Sequence, residues 1–177
     1  TEGVKNADAI ISDIELFPTV EAVTPQVNMN VFYQNGATSI NGQLSGVDPV
    51  REDQLFSLSQ YIVEGSWETM NQRTDGLVMG IGLAEKLSLK LGDQVLVKTG
   101  DGVKKNFTIL GLLETSMGGV DKGKAFLNIS SARQLVSENR SYATDIQINL
   151  ADYNEAEEVA NRLSLVLPYE VESWQAS

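Results

Sequence analysis

The stretch Gly76-Leu77-Val78-Met79-Gly80-Ile81-Gly82-Leu83-Ala84-Glu85-Lys86-Leu87 decides how the rest of the chain is read. Leu77 to Met79 is a short apolar run with strand character. Gly80 and Gly82 predict a tight turn, and Leu83, Ala84, Leu87 and Leu91 then fall on one face of a helix that Gly92 stops. Val95 and Val97 resume a strand, Thr99-Gly100-Asp101-Gly102 turns it, and Phe107 to Leu113 brings it back. The middle of the chain is therefore rich in strands, with one short helix.

Working toward the N-terminus, Ala7, Ile10, Ile11 and Ile14 lie at helical spacing behind Asn6, and Pro18 ends that helix. Val27, Met29, Val31 and Tyr33 alternate with polar residues, the period of a half-buried strand. Asn35-Gly36 signals a hairpin into a second strand through Ile40, Leu44 and Val47. Asp48-Pro49 reads as an N-cap with proline in the first turn of a short helix running toward Tyr61. Working toward the C-terminus, a glycine-bearing loop at 116–119 leads to a strand from Ala125 to Ile129. A helix capped by Ser130 or Ser131 follows, then a strand from Asp145 to Leu150. Asp152 with Glu155 offers a capping pair for an amphipathic helix ended by Pro168, and Tyr169 to Trp174 extends as an edge strand. The expected class is α+β, with a discontinuous lobe of helix-and-strand units (1–62 and 124–177) around an inserted small β-rich lobe (63–123).

At 177 residues the chain is long enough for one ordinary domain or two small lobes. It has 42% hydrophobic and 21% charged residues, close to the globular average, so folding without a metal or disulfide is expected. Thirteen basic against twenty-four acidic residues give a formal charge of -11, which repels nucleic acid and anionic membranes. The densest basic group, Lys98 with Lys104 and Lys105, surrounds a turn bearing Asp101 and reads as solvated hairpin charge. With no cysteine and no histidine, thiolate nucleophiles, imidazole bases and most zinc sites are excluded. No apolar stretch is long enough to span a membrane and no signal peptide opens the chain, a pattern an excised piece of a membrane protein shares.

Motifs for chemistry are incomplete. Gly80-Ile81-Gly82 lacks the third glycine of a dinucleotide fingerprint and has Glu85 in its place. Gly118 to Gly123-Lys124 approaches a phosphate loop, but Ala125 stands where a hydroxyl is needed. Acidic groups at Asp8/Asp13/Glu15, Glu52/Asp53 and Asp152/Glu155/Glu157/Glu158 fall at helix starts or polar helix faces and read as solvated. Without histidine the usual serine triad cannot form. Asn128-x-Ser130 and Asn139-x-Ser141 fit the glycosylation pattern, which is short enough to arise by chance. No catalytic, cofactor or metal site is assigned.

The 76–87 segment, with Leu91-Gly92-Asp93-Gln94-Val95 and Phe107-Thr108-Ile109-Leu110-Gly111, resembles the periplasmic core domain of MacB-type and lipoprotein-releasing-type ABC permeases. The likeness extends to Leu16–Pro25, Gly46–Pro49 and Val171–Trp174, nearly the whole chain. It implies a non-catalytic domain on the extracytoplasmic side of the bacterial inner membrane, between two membrane spans, with neighbouring chain ends. It implies as partners the permease's own transmembrane helices, a separate cytoplasmic ATPase subunit or domain, a second permease copy, and an adaptor protein or lipoprotein, with no nucleic acid and no cofactor. The short turn between the strands around Val97 and Phe107 departs from the long hairpin of chaperone-recruiting relatives.

Two further readings stand beside it. One is a free-standing ligand- or peptide-binding module of the cell envelope that pairs through strand edges. The other is a histidine-free hydrolase, which needs two converging carboxyls. Loops on rigid scaffolds commonly carry recognition, so partner contacts are expected at Gly100, Asp101 and Gly102, and at Ser116, Met117, Gly118, Gly119, Val120, Asp121 and Lys122.

Overall fold

A computed structural model describes residues 3–150. The expected helix over Asp152 to Val166, the edge strand at Tyr169 to Trp174 and the neighbouring chain ends lie outside the described residues.

The fold is α+β. The helix α1 (Ala7–Glu15) buries Ala7, Ile10, Ile11 and Ile14, the stripe its spacing dictates. A long hairpin follows, β1 (Val20–Asn35) and β2 (Thr38–Val47), paired from Gln26–Val47 to Asn35–Thr38. Its two loop residues are Gly36 and Ala37, one position later than the Asn-Gly signal suggests. Gly36 takes φ +60°, the first central position of a turn that glycine favours. Then come α2 (Pro49–Phe56), a 3-10 turn, β3 (Ile62–Gly65), another 3-10 turn, β4 (Gly76–Gly80), α3 (Ile81–Lys86), β5 (Gln94–Thr99) and β6 (Lys104–Leu113). The chain closes with α4 (Gly118–Gly123), β7 (Lys124–Asn128), α5 (Ile129–Leu135) and β8 (Asp145–Leu150).

Six strands close on themselves in the order β1-β2-β7-β4-β6-β5 and back to β1. β3 adds to β6 beyond the end of β5, and β8 adds to the first half of β1. Inside the ring lies one apolar core of Val31, Tyr33, Leu44, Leu77, Met79 and their neighbours, closed by Leu83 of α3, by Leu87 just after it, and by Ala132 and Leu135 of α5. A second cluster packs α1 on β1 and β8, and a third gathers Trp67, Met70, Leu110 and Phe126 under α2. Trp67 anchors that third cluster by donating its indole N–H to the Pro49 carbonyl at 2.9 Å.

The ring has an internal two-fold plan. β4 and β7 pair antiparallel about Val78 and Phe126, and each runs straight into a short helix, α3 or α5. Each also lies parallel to the second arm of a hairpin: β4 beside β6, β7 beside β2. The first arms, β5 and β1, meet antiparallel. Both helices end alike, with Ser88 and Ser137 in the left-handed region at φ +55° and +56°. Leu89 N–H then donates to the Ala84 carbonyl and Glu138 N–H to the Arg133 carbonyl, the closure of a Schellman motif. The 63–123 segment supplies β4, α3, β5, β6 and α4 to this plan. Its seams with the flanking segments are the β1–β5 ladder over residues 31–34 and the β4–β7 ladder over 77–79.

Three local expectations are corrected. α3 ends at Lys86, closed by Ser88 in the left-handed region, so Leu91 lies outside it, 42% exposed, and Gly92 does not stop it. Residues 118–123 form α4 rather than an open loop. The cap of α5 is Asn128, whose side-chain oxygen accepts from the Ser130 N–H at 2.9 Å, because the strand ends one residue earlier than its apolar run suggests.

Candidate functional site

The glycines of the 76–87 stretch acquire a physical reason in α4. A Cβ built on Gly80 would lie 2.5 Å from the carbonyl oxygens of Val120 and Asp121, and one on Gly82 would lie 2.9 Å from Lys122 and 3.0 Å from the Asp121 carbonyl. Only glycine lets the α4 backbone settle on the start of α3. The seat is locked by Asp121, whose carboxylate accepts from the Thr115 N–H at 2.8 Å, the Thr115 hydroxyl at 2.7 Å and the Ser116 N–H at 2.9 Å. Burial opposes charge on Asp121, yet these three bonds outweigh it and hold its pKa below the ordinary carboxylate value. Ser116 sits at φ +71° inside the closed loop.

From this anchored segment Met117 projects outward, 59% exposed, and Gly118 and Gly119 face open space. Met117, Gly119 and Val120 form one side of a shallow groove of about 600 Å³; Asn30, Asn41 and Gln43 of the first hairpin and Lys124 of β7 complete it. Of the expected contact residues, Ser116 and Lys122 are exposed at the ends of this segment, while Asp121 is buried and serves as its lock. Gly100, Asp101 and Gly102 do not line the groove. They turn between β5 and β6, where the Gly102 N–H donates to the Thr99 carbonyl and Val103 N–H to the Thr99 hydroxyl. β1 and β2 separate the two places: Thr99 pairs with Val31, Val31 with Gly42, and the next residue, Gln43, with Lys124. Sequence reasoning missed Asn30, Asn41 and Gln43, although the outward positions of both strands already carried amides.

The acidic groups behave differently from their reading as solvated charge at one position. Glu52 of α2 is 2% exposed. Gln26 Nε2 donates to its Oε2 at 2.7 Å, while Oε1 has no hydrogen-bond partner. Burial pushes the Glu52 pKa up to about 7; the Gln26 bond and the Lys124 charge pull against that rise and the Asp48 charge adds to it. The cause is the placement of α2, which lays its first turn on β1 once Asp48 caps it through the N–H groups of Val50 and Arg51. The neighbouring Asp53 is occupied by the N–H and hydroxyl of Ser59, both at 2.8 Å. Among the described residues, no group of three acidic side chains is placed to hold a metal ion. No helix among them is long and apolar enough to cross a membrane.

This arrangement of barrel and added strands is shared with transporter domains of known structure. The extracellular domain of the noncanonical ABC-type transporter YknZ from Gram-positive bacteria superposes with a TM-score of 0.69 at 11% identity, covering 93% of this chain and 82% of that one. The periplasmic region of MacB from Actinobacillus actinomycetemcomitans gives 0.63 at 13% identity, covering 91% and 74%. The MacB-like periplasmic core domain model matches residues 2–165, and the chain belongs to that family. Its relatives include the lipoprotein-releasing system transmembrane proteins LolC of Xylella fastidiosa (27% identical, 89% of this chain, 40% of that protein) and LolE of Haemophilus influenzae (25%, 76% and 34%). The chain thus spans between a third and two fifths of the length of these relatives.

Proposed function

We propose that the chain is the non-catalytic extracytoplasmic domain of an ABC transporter permease, and that it transmits ATP-driven motion of a separate ATPase to the envelope side. The observation that carries this reading is the family match over residues 2–165. The protein would sit on the outer side of the bacterial inner membrane, joined to its own transmembrane helices and working beside a second permease copy. Cargo or an adaptor would engage residues 116–122 and 100–102. An anchored loop with an exposed methionine suits that role, since Met adapts to varied apolar surfaces.

The division at 63–123 supplies the moving parts in this proposal. Its two sheet seams are short ladders in a ring whose other ladders are longer. Relative motion there would also have to shear the apolar core both parts share and the side-chain bonds that cross between them, such as Trp67 to Pro49 and Asn128 to Met70. The test uses the full-length permease with its ATPase in lipid nanodiscs. Phe32→Cys and Lys98→Cys face each other across the β1–β5 seam, and this chain has no cysteine of its own to interfere. Oxidation should abolish cargo release, leave basal ATP hydrolysis in place and reverse on reduction. Full cargo release by the locked protein would refute motion at that seam. A gene product that encodes no membrane span and binds envelope peptides by itself would instead show a free-standing module.

A further inference from the structure

Along β2, β1, β5 and β6 alternate side chains point into the barrel and away from it. Over the paired spans 28–34, 39–45, 94–98 and 104–108 the inward set is apolar apart from Gly42, the Tyr33 hydroxyl and the rim residue Lys105. Over the same spans the outward set contains no aspartate or glutamate, on a chain that carries twenty-four of them. One row crosses all four strands: Asn41 pairs with Phe32, Phe32 with Lys98, and Lys98 with Lys104. By strand spacing it spans about 14 Å. Phe32 is 44% exposed at its centre. Asn30 and Gln43 form the adjacent row and lead into the groove beside α4.

Lys98 and Lys104 stand directly opposite one another, an arrangement that costs stability in a sheet. Neither makes an ion pair among the described residues. Asp101 lies beyond the row, in the turn, and at the other end of the wall Asn28 donates to Asp145 at 2.6 Å. Between those limits the surface is amide, hydroxyl, ammonium, one aromatic ring and the half-buried Leu96 in the row beside it.

We infer that this wall, from Asn41 across Phe32 and Lys98 to Lys104, is a docking surface for an acidic oligosaccharide. Side-chain amides both donate and accept, which matches the hydroxyls of a sugar. The two lysines supply the counter-charge for carboxylate or sulfate groups. The exposed face of Phe32 offers an apolar plane, negative at its centre, to the C–H face of a pyranose. A protein partner fits less well, because protein interfaces are depleted in lysine and rely on a cluster of buried apolar anchors, whereas this wall offers only Phe32 and the half-buried Leu96.

The test titrates the 177-residue chain with oligogalacturonate and follows backbone amide shifts by nuclear magnetic resonance, with a neutral malto-oligosaccharide and poly-glutamate as comparisons. Saturable shifts along Asn30 to Gln34 and around Lys98 are expected with the uronate, and weaker ones with the neutral sugar. Lys98→Gln with Lys104→Gln should weaken uronate binding at least about tenfold, as loss of charge-assisted bonds implies. Phe32→Ala should weaken both sugars. All three positions are on the surface, and thermal melts verify that each variant folds; if one variant fails to fold, the other decides. The inference is overturned if no sugar gives saturable shifts, if the shifts map elsewhere, if the variants bind as the parent does, or if poly-glutamate binds as tightly as the uronate. None of these outcomes bears on the transporter reading, which the crosslinking test addresses separately.

Discussion

α2 and α4 occupy matching places in the two halves of the barrel. Each follows the second arm of a hairpin, and each buries one carboxylate, with opposite electrostatic results. Glu52 on α2 receives a single hydrogen bond, from Gln26, so burial dominates and its pKa rises to about 7. Asp121 on α4 receives three, so hydrogen bonding dominates and its pKa falls. Burial alone does not set the sign; the number of donors aimed at the charged form does. One half is therefore held by a group that favours acid, the other by a group that favours neutrality.

The largest expected effect tests whether the halves are equivalent at all. Leu87, just after α3, and Leu135, at the end of α5, close the same core. Leu87→Ala and Leu135→Ala should each cost about 2–5 kcal/mol in urea unfolding, within one cooperative transition. Two separate transitions, or a several-fold disparity between the variants, would break the comparison.

Glu52 gives the next effect. The folded protein holds its proton to about pH 7, the unfolded chain only to 4.5. Below about pH 4.5 the neutral acid costs nothing extra. As the pH rises from there through about 7, the unfolded state releases its proton first and stability falls, by on the order of 3 kcal/mol. Glu52→Gln removes that fall, so the difference between variant and parent should grow in the variant's favour across this window and level off above it. A constant difference between pH 4 and 8 would show that Glu52 titrates normally.

Asp121 should behave in the opposite sense. Its lowered pKa contributes stability above the unfolded value, and that contribution is lost as the pH falls through the folded value. Asp121→Asn leaves the Thr115 and Ser116 donors poorly satisfied and should cost about 1–3 kcal/mol at neutral pH, shrinking toward acid. Hydrogen exchange should show the loosening confined to residues 115–123. Protection lost evenly across the barrel would mean that Asp121 holds more than its own loop.

Much of the fold was legible in the sequence where periodicity and turn chemistry agree. The α1 stripe, the strands around Val31 and Val97, and the passage from β4 into α3 follow from local spacing, whereas the early end of α3 at Lys86 does not, because Ser88 takes the left-handed conformation well before Gly92. Ring closure did not, because β1–β5 and β4–β7 join residues far apart in the chain and leave no local pattern. α4 was hidden by its glycines, which disfavour a helix in isolation and are tolerated because α3 supports it. β3 is too short to show a period. Glu52 read as a solvated helix acid because no pattern reveals that α2 turns its first turn inward onto Gln26. Of the groove, Met117, Gly119 and Val120 were identifiable as loop residues, whereas their amide partners become a surface only once β1 and β2 pair in register.

The smallest effect separates two ways of starting a helix after a strand. Gly80 and Asn128 have nearly the same backbone, φ -59° with ψ 137° and φ -59° with ψ 135°. Asn128 caps α5 and donates through Nδ2 to the Met70 carbonyl at 2.9 Å, whereas the space above Gly80 is filled by the α4 carbonyls. Gly80→Ala must push α4 aside and should cost about 1–3 kcal/mol, while Asn128→Ala should cost about 1 kcal/mol as an ordinary lost cap. In a Gly80→Ala, Asp121→Asn double variant the costs should be less than additive, since both unseat the same segment. Asn128→Ala combined with Asp121→Asn should add fully, because the cap and the α4 lock share no partner; coupling in that pair would mean that the halves communicate through the shared core rather than through α4.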